Sequence, residues 1–489
     1  MVGKGFGVIR LRISIGLLAT LAAGCTISMS REEQVENILS APSLETSLSS
    51  AENDDVFTFE DWPERNWWER YGSVELNGLI EQALQNNPTV QSVRSRLEFA
   101  KENAIVVRSN LYPIIYFNAS DQWQYLSENG LYRALNPNIP LSNQLIDFSL
   151  SFSYEFDFWG KYRNLYRAAL GRAKAAEAET AQAELIAATA LAQAYFALKT
   201  NLVRKRLYEE LFEVRKNYAE LERKLEAHSL DSALEPLLSE ERAYEAKEWV
   251  LSVEEEIAVN VHLVNILAGK GPDEPLDLEE SLPALPEKLA LPREVSLGLL
   301  SRRPDFMAQI WRVDALARDV GAARAEFWPD VNVVGLLGFQ SGSWSKLFEW
   351  VSRTVGAAPG LSLPVFTAGA IGANASAKLA LYNEAVYQYN ELILSGFQEV
   401  ADLLAIGRSV YKQKEQQDKV VRNASIRYEL TQLRGKNGLD DALTVYRFLE
   451  EKIQKQLDDV QLLYSEYLVS VRLIKALGGG YLFRGPDGC

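Results

Sequence analysis

Few side chains in this sequence are placed to do covalent or redox chemistry. The chain holds two cysteines, Cys25 and Cys489, and two histidines, His228 and His262. Thiols at opposite ends of the chain make neither a disulfide framework nor a thiolate metal cluster. Two isolated imidazoles cannot build a metal site alone, so each histidine reads as an ordinary helix-surface residue. There is no phosphate-cradling glycine loop followed by Lys-Ser/Thr, and no nucleophile elbow. No catalytic constellation is left, and the chain is expected not to be an enzyme.

The one side chain with a chemical destiny is Cys25. Lys4, Arg10 and Arg12 precede an apolar run from Ile13 to Ala23, which ends in small residues before it. A basic start, an apolar stretch and a small-residue cleavage site make a secretion signal. The run is too short to cross a bilayer of about 30 Å as a helix. Ala22-Ala23-Gly24-Cys25 resembles the bacterial lipobox, in which the cysteine is acylated and becomes the mature N-terminus. Ala22 departs from the larger aliphatic residue usual there, and a plain signal with an incidental cysteine is the alternative. Thr26 follows where an aspartate would mark inner-membrane retention, so the lipobox reading favours the outer membrane.

The elements around these termini repeat. Asn87-Pro88-Thr89 opens a helical stretch closing at Leu111-Tyr112-Pro113, and Arg303-Pro304-Asp305 opens another closing at Phe327-Trp328-Pro329. The spacing from Pro to Pro is 25 residues in both. Each closing proline leads into a strand, a loop, and a second strand that runs into a very long helix, which indicates internal duplication. From Ile146 to Phe158 apolar or aromatic residues alternate with polar or acidic ones without a break. Such a period of two cannot be a helix face. One greasy and one wet face suit a strand between lipid and an aqueous lumen; a half-buried sandwich strand has the same period. Ile115, Phe117, Ala119, Trp123 and Tyr125 mark the first strand, interrupted by Asp121. Val331, Val333, Leu337 and Phe339 mark the third, and Leu361, Leu363 and Val365 the fourth.

Long helices are expected from Lys161 to about Ala227 and from Gly369 to about Leu433, with shorter partners at about 76–110, 232–267, 293–326 and 439–477. At 1.5 Å per residue the long ones reach roughly 100 Å, which suggests a coiled coil or helical barrel. The organisation is then a signal peptide at 1–24, and a lipidated tether and equatorial segment at 25–75. A first repeat (helix, two strands, long helix, helix) spans 76–267. A proline-punctuated linker or equatorial segment at 268–292 leads to a second repeat at 293–477 and a tail at 478–489. Gly478-Gly479-Gly480 reads as little more than a flexible end.

With 47% hydrophobic and 24% charged residues the chain is ordinary globular material. A net charge of −15 argues against a nucleic-acid partner. No stretch beyond the signal reaches about eighteen uncharged apolar residues, so any crossing of a membrane must be made by strands. Four strands cannot close a barrel, and open edges in hydrocarbon leave backbone groups unpaired at several kcal/mol each. If these strands enter the membrane, several subunits must share one barrel; three would give twelve strands, enough for an aqueous lumen.

Tyr154-Glu155-Phe156-Asp157-Phe158-Trp159-Gly160-Lys161, Ser301-Arg302-Arg303-Pro304-Asp305 and Gly321-Ala322-Ala323-Arg324-Ala325-Glu326-Phe327-Trp328-Pro329 together resemble the TolC-like outer-membrane factors. They point to the lipoprotein, OprM/NodT-like branch that serves tripartite RND-type efflux pumps. The resemblance runs from about Trp62 to Leu477. It implies an α+β membrane protein, with a long α-helical coiled-coil barrel and four transmembrane strands per subunit closing as a 12-stranded barrel in a homotrimer. It further implies outer-membrane lipid around the strands, a helical tunnel across the periplasm, and docking to a periplasmic adaptor (membrane fusion) protein and an inner-membrane transporter. No cofactor is implied beyond the covalent lipid on Cys25, and no metal.

In that family the tunnel closes at a periplasmic tip. The matching turns are His228-Ser229-Leu230-Asp231 and Gly435-Lys436-Asn437-Gly438-Leu439-Asp440-Asp441. Repeated three times about an axis, Asp440 and Asp441 would form carboxylate rings that attract cations. An aspartate also suits a helix start, where it caps free N–H groups. Asp231, Asn437, Arg434 and Tyr428 are further gate candidates. At Trp159-Gly160 and at Gly369 the chain passes from strand to helix, and glycine permits the kink. The expected function is passive export of drugs, toxic small molecules or metal ions from periplasm to exterior. A duct for secreted polypeptides (type I secretion) is the alternative, followed by a lipid-anchored coiled-coil scaffold or adhesin.

Overall fold

The computed structural model describes residues 35–228, 234–276, 278–279 and 281–482. The expected signal, Cys25, Asp231 and Cys489 lie outside the described residues. Helix α1 (Glu45–Glu52), strand β1 (Phe57–Glu60), α2 (Val74–Asn86), α3 (Pro88–Ser109) and β2 (Ile114–Tyr125) come first. A short α4 (Leu131–Leu135) leads to β3 (Ser142–Phe156), α5 (Lys161–Ala227) and α6 (Leu234–Leu267). The second half holds β4 (Leu289–Pro292), α7 (Val295–Arg302), α8 (Pro304–Ala325), β5 (Asp330–Ser341), β6 (Arg353–Ser362), α9 (Ala370–Lys436) and α10 (Ala442–Ala476). The duplication extends to element lengths: α3 and α8 each have 22 residues, and α5 and α9 each have 67.

Two units pack separately, and neither coincides with a sequence repeat. One takes Glu98–Lys174 and Ile310–Gln388 with the chain up to Asn37; the other takes Ile38–Leu97, Ala175–Gln309 and Tyr389–Cys489. The first unit contains an antiparallel sheet in the order β2-β3-β5-β6. Its register sets Phe148 opposite Ala119 and Phe339, and Leu150 opposite Phe117 and Leu337, so the apolar residues of three strands share one face. Asp121 sits on that face. Its carboxylate accepts from Gln144 Nε2 at 2.8 and 2.9 Å and from Trp344 Nε1 at 3.1 Å. The loop carrying Trp344 folds over this end of the face: Phe148 meets the edges of Trp344 and Phe348, and Leu347 is buried. In the same unit α5 and α8 approach closely, because a side chain at Gly171 would meet Ala315 at 3.1 Å and the Trp311 carbonyl at 3.3 Å.

The fourth strand differs from expectation. It runs Arg353–Ser362, so Leu363 and Val365 lie past its end. Gly356, Ala357, Ala358 and Gly360 carry too little side chain to print an alternating pattern, and the eye moves on to the bulkier residues beyond. Likewise β3 ends at Phe156, before Phe158. The helices expected at 76–110 and 293–326 are each broken before their proline, at Asn87 and Arg303, because proline disfavours helical backbone in the residue ahead of it. The tether and linker also carry order of their own: β1 pairs in parallel with β4, Phe57 opposite Leu289. Four-residue strands are too short to show a period.

In the second unit the core is built on stacked rings. Phe196 lies 4.3 Å from Tyr467 with planes 14° apart, Tyr71 packs 4.9 Å from Phe196, and the Tyr71 hydroxyl meets Ser470 Oγ at 2.8 Å. Beside them Lys199 is 2% exposed. Its Nζ donates to Glu75 Oε2 at 3.1 Å and to the Glu279 carbonyl, and the Tyr195 hydroxyl donates to the same carboxylate at 2.7 Å. This buried cation pins the inter-repeat linker to α5. The glycine run near the C-terminus is likewise a built turn rather than a loose end. Gly478, Gly479 and Gly480 have φ of 92°, 56° and 80°, and added Cβ atoms would strike the Arg302 carbonyl, Leu185 and Glu64.

Removing one member of a buried ion pair strands the other charge, at about 3–5 kcal/mol. Lys199→Ala should destabilise the fold by that order, read as a lowered denaturation midpoint in detergent. Lys199→Met with Glu75→Leu should recover most of the loss.

Candidate functional site

Two places carry the expected working residues: the turn between α9 and α10, and the passage from sheet to helix. At the turn, α9 ends at Lys436 and the chain reverses through Gly438, whose φ of 72° lies in the left-handed region. The N–H groups of Asn437 and Leu439 return to the Arg434 carbonyl, and Asn437 Nδ2 donates to the Leu433 carbonyl at 2.8 Å. Asn437 therefore closes the end of α9.

The two aspartates do different jobs. Asp441 is the N-cap of α10, its Oδ1 accepting from the Thr444 N–H at 2.7 Å. Asp440 is held by Arg434 in a two-pronged pair, Nε to Oδ2 at 2.7 Å and Nη2 to Oδ1 at 2.9 Å. Both are held below the usual carboxylate range, Asp440 by the Arg434 guanidinium and Asp441 by its bonds to Thr444. A lowered carboxylate contributes stability above its unfolded value that is lost as pH falls through the folded one. Both carboxylates are thus ionised through neutral pH. Tyr428 stands apart from this group. Its ring lies 5.3 Å under Lys452 Nζ of α10, and its hydroxyl accepts from Gln432. Neither the Arg434–Asp440 pair nor the Lys452–Tyr428 contact was read from the sequence, although an arginine six residues before an aspartate across a glycine turn is a usable signal.

At the sheet exit, Gly160 and Gly369 adopt φ of 79° and 84°, and their carbonyls accept the first helical bonds from Asn164 and Ala373. Both halves thus turn into their long helix at a left-handed glycine. Trp159 stacks on Trp328, centroids 4.9 Å apart, and donates its indole N–H to the Pro329 carbonyl at 2.8 Å. The end of β3 is thereby tied to the start of β5. Asp157, part of the alternation and of the Tyr154–Lys161 motif, caps α5: its carboxylate accepts from the N–H groups of Tyr162 and Arg163 at 3.2 and 2.8 Å.

The positions before the helix-opening prolines also match. Asn87 Nδ2 donates to the carbonyl of Leu267, the last residue of α6, at 2.9 Å. Arg303 Nη1 donates to that of Ala476, the last residue of α10, at 3.3 Å, and pairs with Asp305 and Glu399. Among the described residues no group of carboxylates, histidines and cysteines is arranged to hold a metal ion, and no helix is long and apolar enough to cross a membrane.

A family model described as outer membrane efflux protein matches the chain twice, at residues 79–260 and 298–479. The chain is 26% identical over 472 residues to a putative multidrug resistance outer membrane protein, MdtQ, of Shigella flexneri, covering 95% of this chain and 97% of that one. Its fold matches the outer membrane protein VceC of Vibrio cholerae with a TM-score of 0.76 at 30% identity, over 86% of this chain and all of the other. It also matches the CmeC outer membrane channel of Campylobacter jejuni, with a TM-score of 0.79 at 22% identity over 92% and 94% of the two chains.

Loss of an N-cap aspartate costs about 1 kcal/mol. Asp441→Ala should speed amide exchange several-fold in the first turn of α10, at Thr444 and Val445, and leave the core around Phe196 unchanged.

Proposed function

The chain belongs to the outer membrane efflux protein family, and from that premise we propose that it is one subunit of a homotrimeric conduit whose three sheets close a single twelve-stranded barrel. The observation that carries the reading is the state of the sheet. Among the described residues it has two unpaired edges, β2 and β6, and every residue of β2 is exposed, Phe117 and Trp123 among them. Such an edge is stable in lipid only when another strand pairs with it. A second support lies on α6, where Leu237, Tyr244, Leu251, Val259 and Ile266 stand exposed at close to heptad spacing. That stripe suits packing against a helix of a sister subunit.

The conduit passes small molecules outward across the outer membrane and carries no catalysis. The name multidrug resistance outer membrane protein, borne by MdtQ, supports drugs and toxic small molecules over secreted polypeptides as cargo. A periplasmic adaptor and an RND-type inner-membrane transporter complete the pathway, and the transporter supplies the energy. The α9–α10 turn is the gate candidate: three copies of Asp440 and Asp441 around an axis would concentrate negative charge and prefer cations.

Lipidation at Cys25 completes the proposal and is consistent with reach. The Glu36 N–H donates to Asn383 Oδ1 at 3.2 Å, about 20 Å along α9 from its start at Ala370. Glu36 lies eleven positions beyond Cys25, a stretch that spans up to about 36–40 Å when extended. The acyl group can thus reach the bilayer bordering the sheet.

Purified protein in planar bilayers should give small, cation-preferring conductance steps that rise in the double variant Asp440→Ala/Asp441→Ala. A detergent-free soluble monomer without conductance would overturn the conduit, and unchanged conductance in the double variant would overturn the gate alone. Mass spectrometry of the mature N-terminus should find an acylated cysteine that Cys25→Ser abolishes.

A further inference from the structure

Between α9 and α10, in the second unit, lies a group of titratable side chains that neither the core nor the gate turn uses. Lys414 Nζ reaches Asp459 Oδ1 at 3.1 Å and also pairs with Asp418. Seven residues beyond Asp459 on α10, two helical turns along the same face, is Glu466, which is only 6% exposed. Its carboxylate accepts no hydrogen bond from any described residue, although Lys414, Asp418 and Asp459 act on it through space. The other titratable groups facing it are Tyr411 of α9 and Tyr467 of α10. Beyond Tyr411 stand Tyr71 and Arg70. Tyr411 and Tyr467 are spoken for, their hydroxyls bonding the carbonyls of Pro286 and Pro283. One lysine is therefore shared among three carboxylates, and the most buried of the three has no direct partner.

We propose that this group is a proton-operated latch on the α9–α10 seam: Glu466 holds the seam shut when protonated and loosens it when ionised. At 6% exposure and without a donor, an ionised carboxylate is costly and its neutral form costs less. Burial, with Asp418 and Asp459 adding to it against the pull of Lys414, pushes Glu466 up to about 7, and burial also raises Asp459. A carboxyl raised in the folded state contributes stability that is complete below its unfolded value of about 4.5 and is lost as pH rises through about 7. The loss thus runs from about pH 4.5 up to about 7, above the low range in which Asp440 and Asp441 would respond. The seam belongs to the hairpin that carries the gate turn, but the latch stands on its own residues and survives the loss of the gate assignment.

Hydrogen exchange of the full chain in detergent, followed by mass spectrometry between pH 6 and pH 8 and corrected for intrinsic rates, tests it. Peptides covering residues 405–420 and 456–470 should lose several-fold protection as pH rises, while the turn at 434–445 stays constant. Glu466→Gln should keep the acid-side protection throughout. Lys414→Gln, which removes the cation that pulls Glu466 down, should move the midpoint to higher pH. A flat wild-type profile, an unaltered profile in Glu466→Gln, or an unmoved or lowered midpoint in Lys414→Gln would each overturn the latch. The infrared band of a protonated carboxyl, lost near neutral pH in wild type, is the check that needs no variant; its absence at pH 6 would also overturn it.

Discussion

A backbone N–H or C=O in hydrocarbon has nowhere to go for a hydrogen bond except another backbone. The four strands of this chain meet that demand for β3 and β5 and leave it unmet along the outer edges of β2 and β6. Much else in the molecule follows from this shortfall. The sheet is completed only by another sheet like it. The glycine turns at Gly160 and Gly369 start the two very long helices. The tryptophan stack between Trp159 and Trp328 fixes where strand stops and helix begins.

What was legible in the sequence was whatever has a period or a boundary. The alternation from Ile146 onward exposed β3, and the absence of proline between Lys161 and Ala227 exposed α5 to within a residue. Gly160 and Gly369 were legible because a strand running straight into a helix needs an unusual backbone conformation. The fourth strand was misplaced because its residues are small, and a hydropathy pattern needs bulk to be visible. The β1–β4 pairing was hidden because it joins residues more than two hundred positions apart, over four residues on each side. Of the gate candidates, Asp441 was readable as a cap. The pairing of Asp440 with Arg434 depends on how the turn folds back, which spacing alone does not give.

The duplication goes deeper than element order. Asn87 and Arg303 share no chemistry, one a neutral amide and the other a guanidinium, yet each donates to the terminal carbonyl of the helix that returns toward it. A helix end leaves carbonyls unsatisfied, and the residue before the proline is in extended backbone, with its side chain free to reach them. The two halves preserve the geometric task and have let the residue drift. In the second half the task has gained an ion-pair network through Glu399 and Asp305, which the first half lacks at Asn87.

Equal length in α5 and α9 has a consequence for how such chains can change over generations. Deleting one residue from a helix turns everything beyond the deletion by about 100°, which would swing a buried alanine row outward and bring lysines in. Seven residues come close to two whole turns, so trimming or growth is tolerated in such blocks, and only when the companion helix changes by the same block. Two 67-residue helices in one chain therefore behave as a matched pair of rulers, and a relative with a shorter reach should be short in both.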